Sequence, residues 1–163
     1  MRSVGQVNTK PELVLRHALH GLGLRYKLHD PRLPGRPDLV FPKYGAVVFV
    51  HGCFWHAHEC RFGSTPSTRT NFWQSKFDAN RKRDALALER LSQQGWRSLV
   101  VWECALKPYD AARTDETARW VRQWLIAGRP STQVDATNIT GPQARGRSGR
   151  LSSNALSFDW QRH

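Results

Sequence analysis

No apolar run in the 163-residue sequence is long enough to span a bilayer, and no signal peptide is visible. A membrane-spanning protein is therefore not expected. Cysteine is scarce: three residues, an odd count, argue against a disulfide framework and for a reducing compartment, the cytoplasm of a bacterium. No internal repeat is visible. Acidic residues are few as well, 13 against 25 lysines and arginines, leaving a formal net charge of +12 and a pI near 10.6. That imbalance favours a polyanionic partner, nucleic acid first and an anionic membrane surface second. Tryptophan, by contrast, is plentiful. Seven are more than a core of this size requires, which leaves some free to stack on bases. The length suits one domain with a buried core.

Along the chain, residues 1–8 carry no hydrophobic period and are expected to be a mobile arm. Thr9-Lys10-Pro11-Glu12 is a capping box, and Leu13, Val14, Leu15, Ala18, Leu19 and Leu22 follow at helical spacing up to Gly21 and Gly23. Glu12 is read first as a cap and second as an active-site acid. Residues 24–29 suggest a strand, and Pro31–Pro37 a stiff connector. Asp38–Phe41 and Ala46–Val50 form a hairpin about Pro42-Lys43-Tyr44-Gly45, which sets Asp38 across from Phe49 and within reach of the Val50 backbone. A long basic helix is expected over 71–94, a buried strand over 96–103 leading into Cys104, and an amphipathic helix over 114–127. The order points to an α/β fold, helices packed on a mixed central sheet. Residues 128–163 lack a sustained apolar period and are expected to be a mostly disordered basic tail beyond a domain of 1–127.

The densest chemistry lies in Val50–Cys60, eleven residues with three histidines, two cysteines and the pair Phe54-Trp55. Cys53, His58 and Cys60, with the remote Cys104, make a Cys3His set, a common tetrahedral structural zinc arrangement. Thiolates favour zinc over magnesium. Three free cysteines are the alternative, but the spacing and the lack of a spare cysteine favour zinc. His51 and His56 are near enough to substitute for His58.

If His58 is a zinc ligand, His51 and His56 remain beside Asp38. One carboxylate, one backbone carbonyl and several waters suit magnesium, which keeps much of its hydration shell. Phosphodiester hydrolysis needs an activated water, neutralised phosphoryl charge and a protonated leaving oxygen. Magnesium and an imidazole of near-neutral pKa can meet those needs. Asp84, on the long helix, is a candidate to orient one imidazole. Phe54 and Trp55 are difficult to bury together. In a basic protein such aromatics can stack on bases or wedge between them, and Trp73 is a possible third member. Trp96 and Trp102 are assigned to the core.

Leu33-Pro34-Gly35-Arg36-Pro37-Asp38, His51-Gly52-Cys53-Phe54-Trp55-His56, Thr68–Trp73, Gly95-Trp96-Arg97 and Val101–Leu106 together resemble the very short patch repair (Vsr) DNA mismatch endonucleases, in order over residues 1–127. The resemblance implies a restriction-endonuclease-like fold with a structural zinc. It implies a magnesium-dependent nick in one strand, 5′ to the thymine of a T:G mismatch left by deamination of 5-methylcytosine, in which a magnesium-activated water attacks the phosphodiester. Carried over by position, Asp38 and the Val50 carbonyl are magnesium ligands, His56 the base, His51 its assistant at the phosphate, and Glu12 an acid near the metal waters. Cys53, His58, Cys60 and Cys104 hold zinc; Phe54, Trp55 and Trp73 intercalate. The implied partner is mismatched duplex DNA, bound by a monomer that is nucleoid-associated when on DNA and works beside a cytosine methyltransferase and other mismatch-repair proteins. The second acid and lysine usual in restriction-type nucleases are absent from Ala46–Val50, an absence this family shares. Val50 stands where a hydroxyl residue is expected, and the arm looks short. The competing functions are a zinc-stabilised DNA-binding module without catalysis and a restriction enzyme cutting both strands of paired DNA.

Overall fold

A computed structural model describes residues 7–139. Most of the expected N-terminal arm, and the tail from residue 140 onward, lie outside the described residues.

Helix α1 (Lys10–Gly21) begins where the sequence predicts: Thr9 precedes it, Pro11 sits in its first turn, and the Thr9 amide donates to Glu12 Oε2 at 3.3 Å. Its apolar stripe buries Leu15 and Leu19. Strands β1 (Lys27–Leu28), β2 (Leu39–Phe41) and β3 (Ala46–His51) form an antiparallel meander. The strand expected over 24–29 shrinks to two residues. Leu24 is drawn into the core beneath α1, Leu28 is exposed, and His29 takes a left-handed backbone (φ 46°) that ends the extended run.

Helix α2 (Thr70–Gln93) crosses back, and β4 (Arg97–Trp102) then lies parallel to β3 from Ala46↔Arg97 to His51↔Trp102. A four-residue helix, α3 (Glu103–Leu106), starts at Glu103, where a strand end was expected, so Cys104 is helical. Helix α4 (Ala111–Ile126) begins earlier than predicted because Asp110 caps it, accepting from the Arg113 amide at 2.7 Å. The boundary expected at residue 127 cuts too early. Strand β5 (Thr132–Val134) pairs parallel with β4, completing a five-stranded mixed sheet of order β1-β2-β3-β4-β5, and Val134 and Ile139 are buried.

Strand alternation divides the core in two. Leu39, Phe41, Ala46, Val48, Leu99 and Val101 face α1, α3 and α4, while Val40, Val47, Phe49, Val100 and Trp102 face the other side, with Leu91 of α2. Gly35 lets the proline-rich connector pass close beneath α2. Its φ is +72°, and a Cβ there would lie 2.7 Å from Ala87 Cβ and 3.3 Å from the Phe49 ring. Among the described residues no helix is long and apolar enough to cross a membrane.

Candidate active site and metal centre

The parallel strands β3 and β4 end side by side, and the groups singled out in the sequence gather at that end in three clusters, each with donor atoms within 4.8 Å of one another.

The first cluster is Glu12, His29 and Asp38. The hairpin places Asp38 as expected: the Val50 amide donates to its Oδ2 at 2.7 Å. Glu12 of α1 is 1% exposed, far more buried than a helix cap requires. His29 bridges the carboxylates, with Nε2 2.9 Å from Glu12 Oε1 and Nδ1 3.8 Å from Asp38 Oδ1. The sequence reading missed it. Nε2 is buried and, among the described residues, makes no contact of hydrogen-bond geometry. Burial pushes the Asp38 carboxyl up to about 7, and the charge of Glu12 adds to this against the pull of the Val50 amide. Two crowded carboxylates and an orphaned imidazole nitrogen fit a cradle for a cation.

The second cluster is His51, His56 and Asp84. His51 is the last residue of β3, and His56 closes a 3-10 turn, Phe54–His56. Their rings stack, centroids 4.3 Å apart and planes 3° apart, and both meet Trp102 edge-on. His56 Nδ1 lies 3.0 Å from Asp84 Oδ2 of α2, an ion-pair contact without hydrogen-bond geometry among the described residues. Burial, then the charge of His56, push His51 down to about 3, so its imidazole is neutral at pH 7. Burial alone would raise the Asp84 carboxyl, but its contact with His56 and the charges of His56 and Arg83 hold it below its usual value. Parallel planes keep the in-plane lone pairs of the two imidazoles from converging on one ion, so this pair is better suited to proton transfer than to chelation.

The third cluster is Cys53, His58, Cys60 and Cys104, all three cysteines being free thiols. Tetrahedral zinc, with bonds of roughly 2.3 Å to sulfur and 2.0–2.1 Å to nitrogen, sets its ligands about 3.5–3.8 Å apart. Cys104 Sγ and His58 Nδ1 are 3.8 Å apart. The residues fit the ion. The loop is tight: the Cys60 amide donates to the His58 carbonyl at 2.7 Å, the Gly63 amide donates to the Cys60 carbonyl at 3.0 Å, and a Cβ at Gly63 would collide with the His58 carbonyl. The Cys53 thiol, through its hydrogen bond, pushes Cys104 down to about 4, with His58 assisting, while Cys53 itself is pushed up. A thiol held below its usual value gives up its proton more readily, which would favour metal capture. His58, rather than His51 or His56, is the histidine brought to the cysteines.

The aromatic residues form one surface cluster. Phe54 meets Trp55 and Trp73 edge-on at 5.2 Å each, and its base is the buried Phe77. Trp55 is 37% exposed. Phe72, edge-on to Trp73 and not singled out in the sequence as a separate member, is 56% exposed. Its place next to Trp73, a candidate wedge residue, was the available signal. Trp102 is buried and Trp96 packs on the core, as expected.

A family model described as DNA mismatch endonuclease Vsr matches residues 1–62. The chain is 40% identical over 139 residues to the DNA mismatch endonuclease Vsr of Escherichia coli K12, covering 85% of this chain and 89% of that one. It is 48% identical over 111 residues to the type II nicking enzyme V.XorIIP of Xanthomonas oryzae pv. oryzae, covering 68% and 82%. Among solved structures, the catalytic domain of the homing endonuclease I-Bth0305I aligns with a TM-score of 0.48 at 16% identity, over 74% of this chain and 98% of that one.

Proposed function

The chain belongs to the DNA mismatch endonuclease Vsr family, and from that premise we propose that it nicks one strand of duplex DNA 5′ to the thymine of a T:G mismatch, on a restriction-endonuclease-like scaffold. The observation that carries the proposal is the bond from the Val50 amide to Asp38, which sets the carboxylate cradle against the next residue, His51, and so against the stacked histidines.

Asp38 and the Val50 carbonyl would hold magnesium, with Glu12 beside them. When bound, magnesium supplies neutralisation of charge on the phosphoryl oxygens. His56, with Nδ1 turned to Asp84, presents Nε2 to take a proton from the attacking water. His51, neutral at pH 7, keeps one N–H to offer a phosphate oxygen. Phe54, Trp55 and Trp73, with Phe72 beside them, stack against or between bases. Stacking yields about 1–3 kcal/mol per base while opening a step costs a few kcal/mol, so insertion is favoured where pairing is already faulty. Cys53, His58, Cys60 and Cys104 hold a structural zinc that fixes the loop carrying both histidines and aromatics. The partner is mismatched duplex DNA in the bacterial cytoplasm, with other mismatch-repair proteins acting on the nick.

The test is a strand-nicking assay on labelled duplexes carrying T:G or C:G at one position, with magnesium or EDTA, across varied flanking sequences. A magnesium-dependent nick beside the mismatched thymine, lost in Asp38→Ala while DNA binding persists, is the expected result. Cleavage of both strands of the paired duplex would move the protein to the restriction class. Binding without any nick would leave a DNA-binding module.

A further inference from the structure

Residues 132–139, expected to be tail, enclose one side of the cysteine cluster. The imidazole of His58 has two working edges. Nδ1 faces Cys104 Sγ at 3.8 Å, and Nε2 faces Asp135 Oδ2 at 3.6 Å, an ion-pair distance just beyond hydrogen-bond range. The face of the ring lies on Trp102, centroids 4.1 Å apart, and the indole Nε1 of Trp102 donates to Gln133 Oε1 at 2.9 Å.

Asp135 is itself prepared for this contact. Its Oδ1 accepts from the Thr137 amide at 2.7 Å, the Thr137 hydroxyl at 2.6 Å and the Asn138 amide at 3.2 Å, while its own amide donates to Asn138 Oδ1 at 2.9 Å. One carboxylate oxygen is thus committed to the turn and the other turns to His58. The backbone N–H of the intervening Ala136 helps to hold the Cys104 thiol below its usual value. Both remote supports of the cluster, the carboxylate on its histidine and an N–H acting on the Cys104 thiol, come from one short segment that β5 holds against β4.

A histidine bound to a metal through one nitrogen commonly gives its other N–H to a carboxylate, which fixes tautomer and ring orientation and raises basicity. We infer that Asp135 is the positioning residue of the metal centre, holding His58 with Nδ1 toward zinc, so that metal binding and docking of residues 132–139 on the sheet are one linked event. The inference rests on the assignment of Cys53, His58, Cys60 and Cys104 as a zinc site. Linkage makes the effect reciprocal: zinc tightens the segment as much as the segment tightens zinc.

The experiment uses the full chain loaded with zinc, and measures affinity by competition with a chromophoric chelator. A second readout is the visible absorption of the cobalt(II)-substituted protein, which reports coordination geometry. For Asp135→Asn the expected result is a loss of zinc affinity of about 10–100-fold with altered cobalt bands, and partial recovery in Asp135→Glu. Thr137→Val, which loosens the carboxylate without removing it, gives a smaller loss in the same direction and carries the test if Asp135→Asn does not fold. If the unsubstituted chain binds no zinc, the metal assignment falls and the inference with it. If the chain binds zinc and Asp135→Asn and Thr137→Val match it in affinity and cobalt spectrum, the metal site stands and the positioning role of Asp135 is overturned.

Discussion

His56 Nδ1 and Asp84 Oδ2 stand 3.0 Å apart, one on the loop that follows β3 and the other on the long helix behind it. A helix that otherwise contributes positive charge and a few buried side chains thereby brings a carboxylate to one nitrogen of His56 and leaves the other for the role proposed above. Replacing the proposed base, His56→Ala, is expected to slow nicking by about 10²–10⁴-fold. Asp84→Asn keeps the shape but withdraws the charge, with an expected loss of at least about tenfold in the single-turnover rate and unchanged affinity for T:G duplex. An equal loss of affinity in Asp84→Asn would show that the carboxylate supports the loop rather than the base.

The aromatic cluster predicts a different split. Trp55→Ala and Phe72→Ala remove exposed rings from a cluster whose base, Phe77, stays buried, so folding should be preserved. Each is expected to weaken binding to mismatched duplex by about 1–3 kcal/mol and binding to paired duplex by less. Fluorescence anisotropy on the two duplexes decides it, since equal losses on both would make these rings general contacts.

His29 sits between Glu12 and Asp38 without a hydrogen bond of its own at Nε2 among the described residues. His29→Gln is expected to raise the magnesium concentration for half-maximal nicking by about tenfold, with the rate at saturating magnesium little changed. An unaltered magnesium requirement would reduce His29 to a partner of the α1 terminus.

Magnesium should also compete with a proton. Asp38 is raised to about 7, so below that pH the carboxyl is protonated in the metal-free protein and a cation must displace the proton. The half-saturating magnesium concentration is expected to fall about tenfold per unit as pH rises toward 7, and to level off above it. Magnesium titrations at pH 6, 7 and 8 check the sign; a flat profile means that Asp38 is already ionised throughout.

Local signals were legible in the sequence. Thr9 and Glu12 mark the start of α1, and the hairpin register that brings Asp38 to Val50 follows from a four-residue turn between apolar runs. Cys53, His58 and Cys60 announce themselves by spacing, and Cys104 by elimination. What was not legible depends on distant partners. Strand β5 is three residues long, too short to show a period, and is a strand because β4 offers it an edge. His29 reaches Glu12 and Asp38 only after its backbone turns left-handed; Asp30-Pro31 beside it signals a turn but not where that turn aims the imidazole. The extent of β1 was overestimated because Leu24 and Leu28, alike in sequence, go to opposite environments.

The stacking of His51 on His56 carries one more consequence. Two imidazolium ions held face to face at 4.3 Å would repel in a buried setting, and the charge of His56 already works against charging His51. The stack therefore disfavours a second positive charge beside the first. Under the role proposed for His56, the stack keeps the neighbouring His51 neutral, with its N–H still available to a phosphate oxygen, while His56 holds the proton of the attacking water.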